Sequence, residues 1–124
     1  MAYILVFVGG GCGSALRHAV NVWGLRLFGP GFPYGTLMVN ITGSLVMGLI
    51  AGYLAFKGEA SQPWRLFLMT GVLGGYTTFS AFSLDAMLLY ERGEWLTAVL
   101  YVLGSVVLAI AGLAAGLAIM RQMS

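Results

Sequence analysis

Charge is so scarce in this sequence that it decides the solvent before it decides the fold: six basic and four acidic residues are scattered over 124 positions. Soluble domains carry charge on about a quarter of their residues. Here the share is 8%, and 60% of the chain is hydrophobic. A domain of this size must cover most of its surface with polar groups if it meets water. This one lacks them and is expected in a bilayer. At about 20 apolar residues per spanning helix, the chain holds four helices and short loops, a single transmembrane domain with no room for a separate catalytic one.

Three breaks mark the loops. Gly29-Pro30-Gly31-Phe32-Pro33 is turn chemistry throughout. Lys57-Gly58-Glu59-Ala60-Ser61-Gln62 is the most polar run, and Pro63 after it suits the first turn of a helix, with Ser61 or Gln62 near the cap. Glu91-Arg92-Gly93-Glu94 precedes Trp95, a residue type that anchors at the membrane interface. The predicted helices run roughly 2–28, 34–56, 63–90 and 95–120. MAYILVFVGG has no basic run, and no cleavage pattern follows residue 16, so it is expected to belong to the first span rather than to a signal peptide. In the third helix, Gly74-Gly75-Tyr76-Thr77-Thr78 makes poor continuous helix. Backbone groups freed at membrane depth must face protein or a water-filled cavity, so residues 74–78 are the expected site of a break that lines something.

Four spans put both termini on one side, with the loop between the second and third helices. That side carries Lys57, Arg65 and Arg121; the other carries Arg26, Arg92 and Arg17. Orientation follows the Lys/Arg excess, and the two sides are equal. Either a short chain gives an uninformative balance, or the protein inserts both ways up and pairs antiparallel. Two copies would then supply the inverted repeat that many transporters build within one chain. Gly9/Gly13, Gly48/Gly52 and Gly112/Gly116 have the Gly-x-x-x-Gly spacing of close helix contacts and are expected to serve packing.

Reactive side chains are too few for an enzyme. Cys12 and His18 are the only cysteine and histidine, which excludes an intrachain disulfide and a protein metal cluster, and leaves no base with an evident partner. A net charge of +2 is too small for a nucleic-acid footprint. Asp85 is the one carboxylate expected inside a helix, whereas proton-coupled transport needs a titratable relay in the membrane. Passive permeation fits better. On the second helix Thr36, Asn40 and Ser44 are four apart and share a face. Asn40 is either glue between helices or a pore-facing amide donor for an anion. On the fourth helix Tyr101 and Ser105 place two hydroxyls on one stripe, though Tyr101 serves equally as an interfacial anchor. Phe79 and Phe82 share a face of the third. Such a pair usually faces lipid or packs in a core, yet ring edges are partly positive and hold an anion weakly enough to release it.

Three segments carry a resemblance. Gly10-Gly11-Cys12-Gly13-Ser14-Ala15-Leu16-Arg17, GTLMVNITGS (35–44) and GVLGGYTTFSAFS (71–83) together resemble the Fluc/CrcB fluoride channels, over all four helices in order. The resemblance implies an all-α membrane protein that forms an antiparallel, dual-topology homodimer with two anion pores. It would sit as a multi-pass protein in the plasma or inner membrane of a prokaryote and pass fluoride out of the cytoplasm, relieving its toxicity. Pore roles would fall on Phe79, Phe82, Asn40, Tyr101 and Ser105, with Ser80 or Thr36 as further donors. Arg17 would draw anions into a vestibule. A structural Na+ on the dimer axis would be held by main-chain carbonyls around Gly74 and Thr77, one set from each chain. His18 stands where the family more often has tyrosine, and Ala81 where it commonly has threonine. Two other readings compete: a small multidrug-type, proton-coupled exporter, which needs a mid-membrane glutamate that the first helix lacks, and a non-transporting subunit of a membrane assembly.

Overall fold

The computed structural model describes residues 1–56 and 62–123; Lys57 and Ser61, with most of the polar run around them, lie outside the described residues. All regular structure among the described residues is helical. Helices α1 (Ala2–Phe28) and α2 (Tyr34–Phe56) are followed by a third span, Gln62–Glu91, in two pieces: α3 over 62–76 and α4 (Phe79–Glu91). The last helix, α5, covers Trp95–Met123. Four spans among the described residues are long and apolar enough to cross a membrane. Two of the turns close on glycines in the left-handed region, Gly29 at φ 79° and Gly93 at φ 82°, where a Cβ would be strained. The Gly29 N–H returns to the Leu25 carbonyl at 2.9 Å and ends α1.

Large apolar side chains cover the outside. Phe7, Trp23, Val107 and Ile110 are all exposed, which is costly in water and ordinary in lipid. Between helices in lipid, apolar burial gives little drive, and close backbone approach supplies the attraction instead. The glycine pairs perform that role. A Cβ on Gly9 would stand 2.6 Å from the Phe67 carbonyl oxygen, and one on Gly13 would collide with the Val72 carbonyl. Thus α1 lies backbone to backbone on α3, whose Leu66–Leu73 stretch opens into a π-helix where it crosses those glycines. On the other side α2 runs along α5: a Cβ on Gly48 would strike the Leu113 carbonyl, and one on Gly116 would lie 2.6 Å from the Leu45 oxygen. A smaller side-chain core, Phe82, Leu89, Ala98 and Tyr101 with Phe32 and Leu37 against it, ties α4 to α5.

Candidate functional site

The third span breaks at two residues. Helix α3 ends where the Leu73 carbonyl accepts both the Thr77 N–H at 3.0 Å and the Thr77 hydroxyl at 2.9 Å. Thr77 (φ −80°, ψ 155°) and Thr78 (φ −152°, ψ 123°) are then extended. Extended backbone inside a membrane needs partners for its N–H and C=O, and Asn40 on α2 supplies both. Its Oδ1 accepts from the Thr78 N–H at 2.9 Å, and its Nδ2 donates to the Thr78 carbonyl at 3.1 Å. The amide thus takes the place of a neighbouring strand. Thr78 then restarts the helix, its hydroxyl accepting from the Ala81 N–H at 3.1 Å as an N-cap. On the other side of the break, Arg17 Nε donates to the Gly75 carbonyl at 3.2 Å. The guanidinium therefore rests on the negative end of α3. The Leu73 and Gly75 carbonyls are thus engaged at the break, where the Gly74 and Thr77 carbonyls also lie.

A cleft of about 300 Å³ opens against this break. Asn40, Ser44, Thr77, Thr78, Phe79, Phe82 and Ser105 contribute to its wall, with Met47, Ala109 and Leu113 at its apolar side. Phe82 is buried, Phe79 is 77% exposed, and their ring centroids are 5.6 Å apart. Ser105 is the telling member. Its hydroxyl is buried and makes no hydrogen bond, alone among the buried side-chain oxygens and nitrogens of the described residues. An unsatisfied buried hydroxyl costs about 1–3 kcal/mol, so Ser105 is the one polar side chain of the cleft wall whose buried donor is left unspent. The cleft also meets the N-terminus of α4, where the helix dipole is positive and Thr78 caps the Ala81 N–H.

Beyond Phe82 lies a second cavity of about 370 Å³, lined by Asn21, Phe32, Thr36, Ala81, Asp85 and Arg92 among others. Tyr101, only 1% exposed, packs its ring 5.2 Å from Phe82 of the first cavity's wall and 5.4 Å from Phe32 of the second's. Its hydroxyl donates to Asp85 Oδ2 at 3.4 Å. The one carboxylate expected within a helix, in the wall of this cavity, is therefore engaged by a phenol.

Four of the residues singled out in the sequence, Asn40, Phe79, Phe82 and Ser105, meet in one cleft. Thr36 lines the second cavity instead, and Tyr101 packs behind Phe82 without lining either. Ser80 lines neither cavity; it is exposed, with its hydroxyl 3.4 Å from that of Thr78. Arg17 faces the break itself, and His18 beside it is exposed. Ala81 gives its N–H to the cap and its side chain to the second cavity, so nothing polar comes from position 81. Sequence reasoning passed over Thr42 and Tyr76, whose hydroxyls meet at 2.9 Å on the flank of the break. The signal was thin: two hydroxyl residues next to motif positions, with nothing in their spacing to pair them.

Residues 4–117 match the family described as CrcB-like protein, Camphor Resistance (CrcB). Among curated relatives, the chain is 68% identical over 124 residues to "Fluoride-specific ion channel FluC 2" of Nitrobacter hamburgensis, covering all of both chains. It is 69% identical over 124 residues to "Fluoride-specific ion channel FluC" of Rhodopseudomonas palustris, again covering both completely. The protein of that name in Methylobacterium nodulans is 59% identical over 119 residues, 96% of this chain and 95% of that one.

Proposed function

The chain belongs to the CrcB-like family, and from that premise we propose that it is a passive, fluoride-selective channel of the bacterial cell membrane. The observation that carries this reading is the buried, unpartnered Ser105 hydroxyl in the cleft with Asn40, Phe79 and Phe82. Fluoride is small and strongly hydrated, so a pore that admits it has to replace its water with other donors. Ser105 offers its one proton. Asn40 commits one Nδ2 proton to Thr78 and keeps a second. The partly positive edges of Phe79 and Phe82 bridge the interval between donors without the grip of a fixed cation. Release matters as much as capture, and neutral groups allow it.

Two copies of the chain complete the channel. Phe79 is largely exposed on its own protomer, and a ring there is useful to an ion only if another surface closes over it. An antiparallel pair supplies that surface and gives two pores. Such a pair also brings two breaks together. The Gly74 and Thr77 carbonyls of each are hard oxygen ligands, the type that suits Na+. Two carbonyls from one chain make half a site, and a two-fold axis makes it whole; a Na+ held there would neutralise the carbonyl ends of both half-helices. Arg17, on Gly75, adds fixed positive charge beside the break and raises the local anion concentration there.

The transport is uncoupled. HF crosses membranes and dissociates inside; the trapped anion then leaves down a potential worth about 2.3 kcal/mol per charge per 100 mV. A proton-coupled exporter would need an acid in the middle of α1, and that helix has none. Purified protein in liposomes loaded with potassium fluoride tests the reading. Adding a potassium ionophore is expected to release fluoride at once, with no proton gradient and with chloride retained. Fluoride that stays inside would overturn it.

A further inference from the structure

Residues on α2 reach both sides of the break, and only the far side is explained by Asn40. Thr42 lies two residues further along. Its Oγ1 donates to the Met38 carbonyl at 2.7 Å, one turn back on its own helix. A threonine hydroxyl has one proton, so the 2.9 Å contact with Tyr76 is made by the tyrosine: Tyr76 O–H donates to Thr42 Oγ1. Tyr76 is the last helical residue of α3 before the extended pair. Gly43 next to Thr42 leaves the room this requires, since a Cβ there would stand 3.1 Å from the Tyr76 ring and collide with the Thr77 methyl. Residues 40, 42 and 43 of α2 thus address residues 78, 76 and 77. The Thr42 hydroxyl is on the exposed side of α2 and Tyr76 is half-buried, so the pair contributes little apolar burial. What it supplies is direction.

We propose that Thr42 and Tyr76 are a positioning pair for permeation: the relay from Tyr76 through Thr42 to the Met38 carbonyl fixes the residue before the break, as Asn40 fixes Thr78, the break's second residue. Thr77, held from both sides, keeps its carbonyl at one angle, and the Asn40 amide keeps its second proton on the cleft. Neither hydroxyl touches the ion. This rests on the channel reading above.

Fluoride efflux from liposomes tests it in four proteins beside the wild type: Thr42→Val, Thr42→Ser, Tyr76→Phe and the double variant Thr42→Val/Tyr76→Phe. Tyr76→Phe removes a single oxygen, so it keeps the test alive if Thr42→Val fails to fold. Losing one hydrogen bond of ordinary strength corresponds to about a fivefold change in rate. Thr42→Val and Tyr76→Phe are each expected to slow fluoride efflux about fivefold and to narrow its preference over chloride. The double variant is expected to be no slower than Thr42→Val, because both substitutions cut the same Tyr76–Thr42 bond. Thr42→Ser, which keeps the hydroxyl, is expected to restore flux. Wild-type flux in Tyr76→Phe, losses that multiply in the double variant, or a Thr42→Ser as slow as Thr42→Val would each overturn the pair while leaving the channel standing. Wild-type vesicles that hold their fluoride would overturn the channel and the pair together.

Discussion

Phe79 and Phe82 look alike in the sequence, yet the fold gives them different surroundings. Phe82 is 8% exposed and packs on Tyr101; Phe79 is 77% exposed and touches only Phe82 among the rings of the described residues. Replacing Phe82 with isoleucine is therefore expected to lower the protomer's stability by about 1 kcal/mol, as a shape change in a packed core does. The same change at Phe79 is expected to leave stability unaltered. Both are expected to reduce fluoride efflux by tenfold or more, because both remove a ring edge from the cleft. Thermal unfolding in detergent, paired with the liposome assay, separates the two effects; flux unchanged in Phe79→Ile would remove that ring from the path. Asn40 shows how far a single residue was legible. Its cost inside a membrane marks it as a residue with a task, and the sequence leaves open whether that task is a contact or an ion. The structure has it clamping Thr78 with both ends of its amide. A partner 38 residues away has no local signature, so the clamp could not be read from position 40 alone.

Glycine spacing was the clearest signal at the scale of the helix, because the requirement it reflects is local: a backbone cannot come within contact distance of another past a Cβ. Gly13 tests this in isolation. A Cβ there meets the Val72 carbonyl and, at 2.8 Å, the Tyr76 nitrogen, both backbone atoms with no rotamer to yield. Gly13→Ala is expected to separate α1 from α3, cost about 1–3 kcal/mol, and pull Arg17 off the break it caps. Gly104→Ala, with nothing within 4 Å of the added Cβ, is expected to be neutral or slightly stabilising, since alanine favours a helix by about 1 kcal/mol over glycine. Midpoints of thermal unfolding for the two variants check the contrast, and equal midpoints would refute it. The break was foreseen from adjacent glycines and threonines within 74–78, and the extended residues are Thr77 and Thr78. The π-helix over Leu66–Leu73 was not. It accompanies the crossing of α1, a tertiary circumstance that apolar residues in that stretch do not encode.

Across the whole molecule, basic residues are placed so evenly that neither face of the membrane is strongly favoured. The sequence puts Lys57, Arg65 and Arg121 on one side and Arg26 and Arg92 on the other. Arg17 counted with the second group until its side chain was placed on the Gly75 carbonyl, inside the span. Arg92 is itself drawn off, with Nε 3.0 Å from Glu94 and a second nitrogen on the Gly31 carbonyl. An orientation bias of one residue is weak, and an antiparallel dimer of identical chains requires it to be weak, because each orientation has to be populated. That turns topology into something that can be set from outside. Gln62→Lys with Gln122→Lys loads the side of the termini; Pro30→Lys with Glu91→Lys loads the other. Each double variant is expected to insert one way up and, produced alone, to lose fluoride efflux from cells or vesicles. Produced together, the two are expected to pair and regain it, since each now supplies the orientation its partner lacks. If either variant conducts fully by itself after labelling shows a single orientation, the pores are built from chains that lie the same way up, and the antiparallel arrangement is wrong.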